Sequence, residues 1–136
     1  MAYTIPANLS GNTMVIRVTG VAGIGASAIA AVPNPWGSTV LILRATWYLD
    51  TISAGAANIN IGVGATSVTD SSDLISALAV GANAGVASNC HIMQNAAKTA
   101  VTVPAQWTST SFINFSGSAS TVGMVGHLFL ECLPLT

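Results

Sequence analysis

The clearest hydrophobic pattern in the chain lies between residues 38 and 64. From Val40 to Asp50 the positions Leu41, Leu43, Ala45, Trp47 and Leu49 are all apolar. From Asn58 to Gly64, Ile59, Ile61 and Val63 alternate with Asn58, Asn60, Gly62 and Gly64. A period of two is that of a strand, whose successive side chains face opposite sides of a sheet. The two arms flank a short turn at Ser53–Ala56, so the stretch predicts a hairpin with one face in a core. The other face of the first arm, Val40, Ile42, Arg44, Thr46 and Tyr48, is too apolar to be simply solvated. It predicts a second layer or a neighbouring subunit above it.

The same reading extends along the chain. Residues 1–11 contain Pro6, Asn8 and Gly11 and predict an arm or loop, with one β-sandwich domain over 12–136. Met14, Ile16 and Val18 alternate with Thr13, Val15, Arg17 and Thr19, a strand. Gly20–Val32 fits a helix, a strand pair or a loose loop; its glycines argue against the helix, and Pro33-Asn34-Pro35 ends it. Asp70-Ser-Ser-Asp73 followed by Leu74, Ile75 and Leu78 predicts a short connecting helix at about 70–80, capped by the aspartates. Strands are expected at Ala87–Met93, Thr99–Val103, Gln106–Ser116 and Val122–Leu133. In the last, Val122, Met124, Leu128, Leu130 and Cys132 share one face and His127, Phe129 and Glu131 the other. About seven or eight short strands with regular turn signals predict an all-β antiparallel sandwich or jelly roll.

Composition changes this picture in one respect. Charged residues make up 5% of the chain, against roughly 25% in an average soluble domain. They are Arg17, Arg44, Lys98, Asp50, Asp70, Asp73 and Glu131. A surface so poor in charge has little repulsion to keep copies apart, so part of it is expected to be covered by other subunits. The net charge of −1 and the absence of a basic cluster argue against nucleic acid as a partner. No apolar run approaches the ~18 residues of a membrane span. Met1-Ala-Tyr-Thr-Ile-Pro6 lacks a basic segment followed by an apolar one, so no export signal is expected. Cys90 and Cys132 are then not a disulfide framework by default, although they could pair if their strands are neighbours.

Candidate chemistry is sparse. Gly23–Ala28 follows a strand as a dinucleotide loop does, but the chain after Thr39 is nearly all strand, where a doubly wound fold needs alternating helices. A small-residue loop at a sheet edge or subunit contact is the plainer reading. His91 and His127 come with no Gly-x-Ser-x-Gly elbow, and the carboxylates suggest no pair facing across a cleft. Cys90, His91, His127 and Cys132 lack zinc-site spacing, and His127 and Cys132 have opposite parity on one strand. No catalytic residue, cofactor or metal is expected. Trp36, Trp47 and Trp107 could stack on sugars. Trp47 belongs to the core face of its strand, however, whereas Trp36 and Trp107 sit at strand starts and suit a subunit interface.

Trp47-Tyr-Leu-Asp50, Ala57-Asn-Ile-Asn-Ile-Gly-Val-Gly-Ala65, Ser72-Asp-Leu-Ile75 and Gly85-Val86 resemble small β-sandwich virion proteins of tailed bacteriophages, the capsid decoration, cement or minor head proteins. The resemblance covers about residues 40–86. It implies a non-enzymatic structural role in the virion, assembled in the host cytoplasm. The implied partners are the chain itself, as a homo-oligomer and typically a trimer, and the major capsid protein. A carbohydrate-binding module of a fibre or spike is the alternative. Trp36, Arg44, Tyr48 and Trp107 are the candidate oligomer or capsid contacts, and the arm 1–11 a candidate strap across a neighbour.

Overall fold

The computed structural model describes residues 1–4, 13–84, 91–94 and 105–135. Ten strands are described: β1 (Ala2–Thr4), β2 (Met14–Ala22), β3 (Ser27–Pro33), β4 (Val40–Thr51), β5 (Asn58–Gly64), β6 (Ile75–Ala79), β7 (His91–Gln94), β8 (Ala105–Trp107), β9 (Phe112–Gly117) and β10 (Val125–Pro134). One sheet has six strands in the order β1-β2-β10-β4-β7, with β8 also beside β4. The other has four, in the order β3-β9-β5-β6. All pairings are antiparallel. The all-β expectation holds. The strand count rises because β1 forms in the expected arm, β6 stands where a helix was expected, and Gln106–Ser116 is broken by a turn into β8 and β9, which join different sheets.

The sheets bury one common core. Ile16, Val18, Trp47, Leu128 and Leu130 reach it from the larger sheet, and Ile59, Ile61, Ile113 and Phe115 from the smaller. The Trp47 and Phe115 rings meet across it at 6.0 Å. β2 and β10 alternate buried and outward side chains, with Met14, Ile16 and Val18 buried, as are Leu128, Leu130 and Cys132. Val122, expected on the same face, instead lies exposed in the loop before β10.

β4 departs from its pattern at one residue. Glu131 pairs with Arg44 and Cys132 with Ile42, which leaves Leu43 as an extra residue on β4. Each inserted residue reverses the faces beyond it. Val40 and Ile42 are therefore buried before the bulge, and Ala45, Trp47 and Leu49 after it, while Leu43 is turned out at 43% exposure. The single apolar face from Leu41 to Leu49 is corrected accordingly.

The expected 38–64 hairpin is also corrected. β4 and β5 lie in different sheets, and residues 52–57 cross between them. Ser53 is fully buried in this crossing. Its N–H donates to the Val80 carbonyl at 2.9 Å and its hydroxyl to the Gly55 carbonyl at 2.8 Å. In a similar way Gly20–Val32 divides between the end of β2, a loop at 23–26, and β3.

No helix occurs among the described residues. Over 70–80 there is a covering loop followed by β6. Asp73 Oδ1 accepts from the Val63 N–H at 2.8 Å and from the Ser71 hydroxyl at 2.6 Å. Asp70 Oδ1 accepts from Asn60 Nδ2 at 3.2 Å and from the Ser116 hydroxyl. The aspartates thus tie the loop down on the smaller sheet rather than capping a helix. Gly62 and Gly64 make room for it, since a Cβ at Gly62 would overlap the Asp73 carboxylate and one at Gly64 the Asn114 amide. That cover explains why Asn114 and Ser116 are buried on the face of β9 opposite Ile113 and Phe115.

Of the expected arm, Ala2–Thr4 lies on the chain's own β2, with Ala2 opposite Thr19. Its remainder, the Thr99–Val103 strand, Lys98 and Cys90 fall outside the described residues.

Candidate interaction surface

The smaller sheet is roofed by its loop, but among the described residues nothing comparable covers the outward face of β2, β10 and β4. Register places its side chains in rows. Val15, Glu131 and Arg44 form one, and Arg17, Phe129 and Thr46 the next. The third holds His127 beside Tyr48. Of the three basic and four acidic side chains of the chain, Arg17, Arg44, Asp50 and Glu131 belong to these three strands. Arg44 and Glu131 form a cross-strand ion pair at 3.1 Å, with half of the Arg44 side chain exposed. Such an exposed pair contributes under about 1 kcal/mol. Arg17 has no ion-pair partner among the described residues.

His127 is built into a bulge. Gly126 pairs with Val21 and Leu128 with Val18, so Thr19 and Gly20 together stand opposite His127. Gly20 takes a positive φ of 64°, a conformation open to glycine at small steric cost. Its N–H donates to His127 Nδ1 at 2.9 Å, so the neutral ring carries its proton on Nε2, 3.8 Å from Asp50 Oδ2. The imidazole also lies against Tyr48, ring centres 5.8 Å apart. The result is a held, half-buried patch of Tyr48, His127 and Phe129 with charges of both signs around it. It can dock a protein surface through aromatic contact and ion pairing.

The four candidate contact residues do not form one cluster. Arg44 and Tyr48 lie on this face. Trp107 is corrected: it is fully buried in the chain's own core, so its side chain has no surface to give a partner. Its indole N–H donates to the Ser111 carbonyl at 3.2 Å. Trp36 stands half-buried against it, ring centres 5.7 Å apart and nearly perpendicular. The residue that organises this corner is Asn34, which sequence reasoning treated only as part of a break. Asn34 Nδ2 donates to the carbonyls of Trp107 at 2.8 Å and Ser38 at 3.0 Å, and its Oδ1 accepts the Trp36 N–H at 2.9 Å. An asparagine held between two prolines is a turn signal that could have flagged it. With Trp47 and Trp107 both fully buried, the three-tryptophan sugar platform is not formed.

The remaining candidate chemistry is dispersed. Cys132 is a free, buried thiol, and burial pushes its pKa up to about 12. It faces the core while His127, five residues earlier on β10, faces outward. No group of three or more His, Cys, Asp or Glu suited to a metal ion occurs among the described residues. The Gly23–Ala28 segment leads into β3, not into a helix.

No known family pattern matches the chain, and no curated protein matches it. Its fold is similar to that of a chain in the capsid of Ralstonia phage GP4. The two superpose with a TM-score of 0.54 over 98% of this chain and 90% of that one, at 13% identity. At that identity the likeness is one of fold.

Proposed function

We propose that this chain is a non-enzymatic structural protein of a tailed-phage virion. In this reading it assembles as a homo-oligomer, a trimer being the form its family resemblance implies, and binds the major capsid protein through the outward face of β2, β10 and β4. The observation that carries the reading is the fold shared with a capsid chain over nearly the whole length of both. Two features support it: the low charge content, and a sheet face with exposed Val15 and Leu43 beside Arg17 and Arg44. The protein acts as a contact surface in the virion after assembly in the host cytoplasm.

The test is cosedimentation of purified protein with capsid shells assembled without it. Saturable binding is expected. Replacement of Arg17 and Arg44 by Glu is expected to weaken it about tenfold or more, and the loss should be partly masked at high salt, where exposed charges are screened. Failure of the unaltered protein to bind shells at any ionic strength contradicts the reading.

A further inference from the structure

Among the described residues, the loops at one end of the sandwich carry no ionisable side chain, and two large apolar side chains stand out from them. Four segments meet there: residues 23–26, 52–57, 80–84 and 118–124. None contains Asp, Glu, Lys, Arg or His. Ile24 is 49% exposed and Val122 58%.

These side chains are held outward by a backbone lattice. The Thr121 N–H and hydroxyl both donate to the Ile24 carbonyl, at 2.9 and 3.0 Å. The Gly23 N–H donates to the Met124 carbonyl at 2.8 Å, and the Ala54 N–H to the Val122 carbonyl at 3.4 Å. The Ala82 N–H reaches the Gly55 carbonyl at 3.2 Å. Loops tied this way lose little freedom when they are covered, which favours association. Asp50 at the end of β4, His91 opposite Leu49 at the start of β7, and the amino group of Met1, placed there by the β1 register, stand at the rim.

We infer that this charge-free end is where copies of the chain meet one another, an inference that rests on the homo-oligomer of the proposed function. Around a symmetry axis each residue lies near its own counterparts, so a charge near the axis faces its like. The outward face of β2, β10 and β4, with two arginines, Asp50 and Glu131, meets itself without repulsion only in registers that set arginine against carboxylate. The loop end brings together Ile24, Val122, alanine and glycine. It therefore fits a second copy, while the charged face is left for a different partner.

The test compares the mass by light scattering of the unaltered protein, the double variant Ile24→Glu/Val122→Glu and the double variant Val15→Glu/Leu43→Glu at the same micromolar concentration. The loop-end variant is expected to fall to monomer mass with unchanged circular dichroism, and the sheet-face variant to keep the oligomer mass. A loop-end variant that stays oligomeric overturns the inference and leaves the oligomer standing. The same holds if it stays oligomeric but loses shell binding, which assigns the end to the capsid. An unaltered protein that is monomeric at every concentration overturns both. Hydrogen exchange on the unaltered protein gives an answer even if the variants misfold. Amides of 23–26 and 118–122 are expected to exchange at least tenfold more slowly at oligomer-forming concentration than on dilution. Protection confined to other segments contradicts the inference.

Discussion

Single residues set tolerances that can be measured. Trp47 is fully buried, and its indole lies where a Cβ at Gly126 would stand. Gly126→Ala forces the ring aside and is expected to destabilise the fold by about 1–3 kcal/mol, the usual cost of overpacking a filled core. A lower midpoint in denaturant at unchanged slope is the readout. Asn34→Ala leaves the Trp107 and Ser38 carbonyls without their donor, a loss of about 1–3 kcal/mol when such groups are buried. The same assay reads it, together with a change in Trp36 fluorescence. At Cys132 the folded chain keeps the thiol protonated well above its ordinary value of 9.0, up to about 12. The folded state thus holds a proton that the unfolded chain gives up. The stability this group contributes is intact below pH 9 and is lost as pH rises toward 12. In a Cys90→Ser background, thiol reagents at pH 8 are expected to label Cys132 only as the protein unfolds. Rapid labelling of the native protein contradicts this. Residue identity announced Trp47 as core because it sits inside a long alternation. Trp107 departs from expectation because its place at a strand start suggests a contact surface. Only the fold shows that three short residues of β8 carry that ring inward.

Elements were legible where periodicity ran unbroken and obscure where chemistry was ambiguous. β2 as far as Val18 and β10 follow their alternation residue by residue. In β4 the bulge is invisible in the sequence, because Leu43 is as apolar as Leu41 and no glycine marks the insertion. The 70–80 segment misled for a different reason. Asp and Ser are good helix starters, but the same short polar side chains hydrogen-bond equally well to a neighbouring strand. Here Asp73 takes the Val63 N–H, a donor on the preceding strand and beyond the reach of a helical turn, so local propensity could not foretell the outcome. Asp73→Ala is expected to free the covering loop. The Val63 amide should exchange faster, at least tenfold, and limited proteolysis should begin within 65–74. Asp73→Asn, which keeps an acceptor oxygen, should retain most of the protection. The turn at 52–57 was readable as a reversal, but its crossing between sheets was not, since nothing local distinguishes a hairpin from an arch.

For the whole molecule, the distribution of charge matters more than its amount. The all-β class and the shortage of charge were both plain in the composition and the alternation. The gathering of Arg17, Arg44, Asp50 and Glu131 onto one sheet was not, because it depends on which strands become neighbours. Arg17 on β2, Glu131 on β10 and Arg44 on β4 are far apart in sequence and share a surface only through the register. The smaller sheet is closed by its own loop, the larger presents a mixed charged and aromatic face, and one end presents Ile24 and Val122. Such a body is suited to repeated contact, and its fold is similar to that of a capsid chain. The most direct measurement is a cryo-electron microscopy map of the particle encoded with this chain, at a resolution that separates strands. The account predicts two-sheet densities repeated over the shell, with the β2-β10-β4 face against capsid density and the 23–26 and 118–124 loops turned toward sister copies. A particle that contains no density for this chain contradicts it.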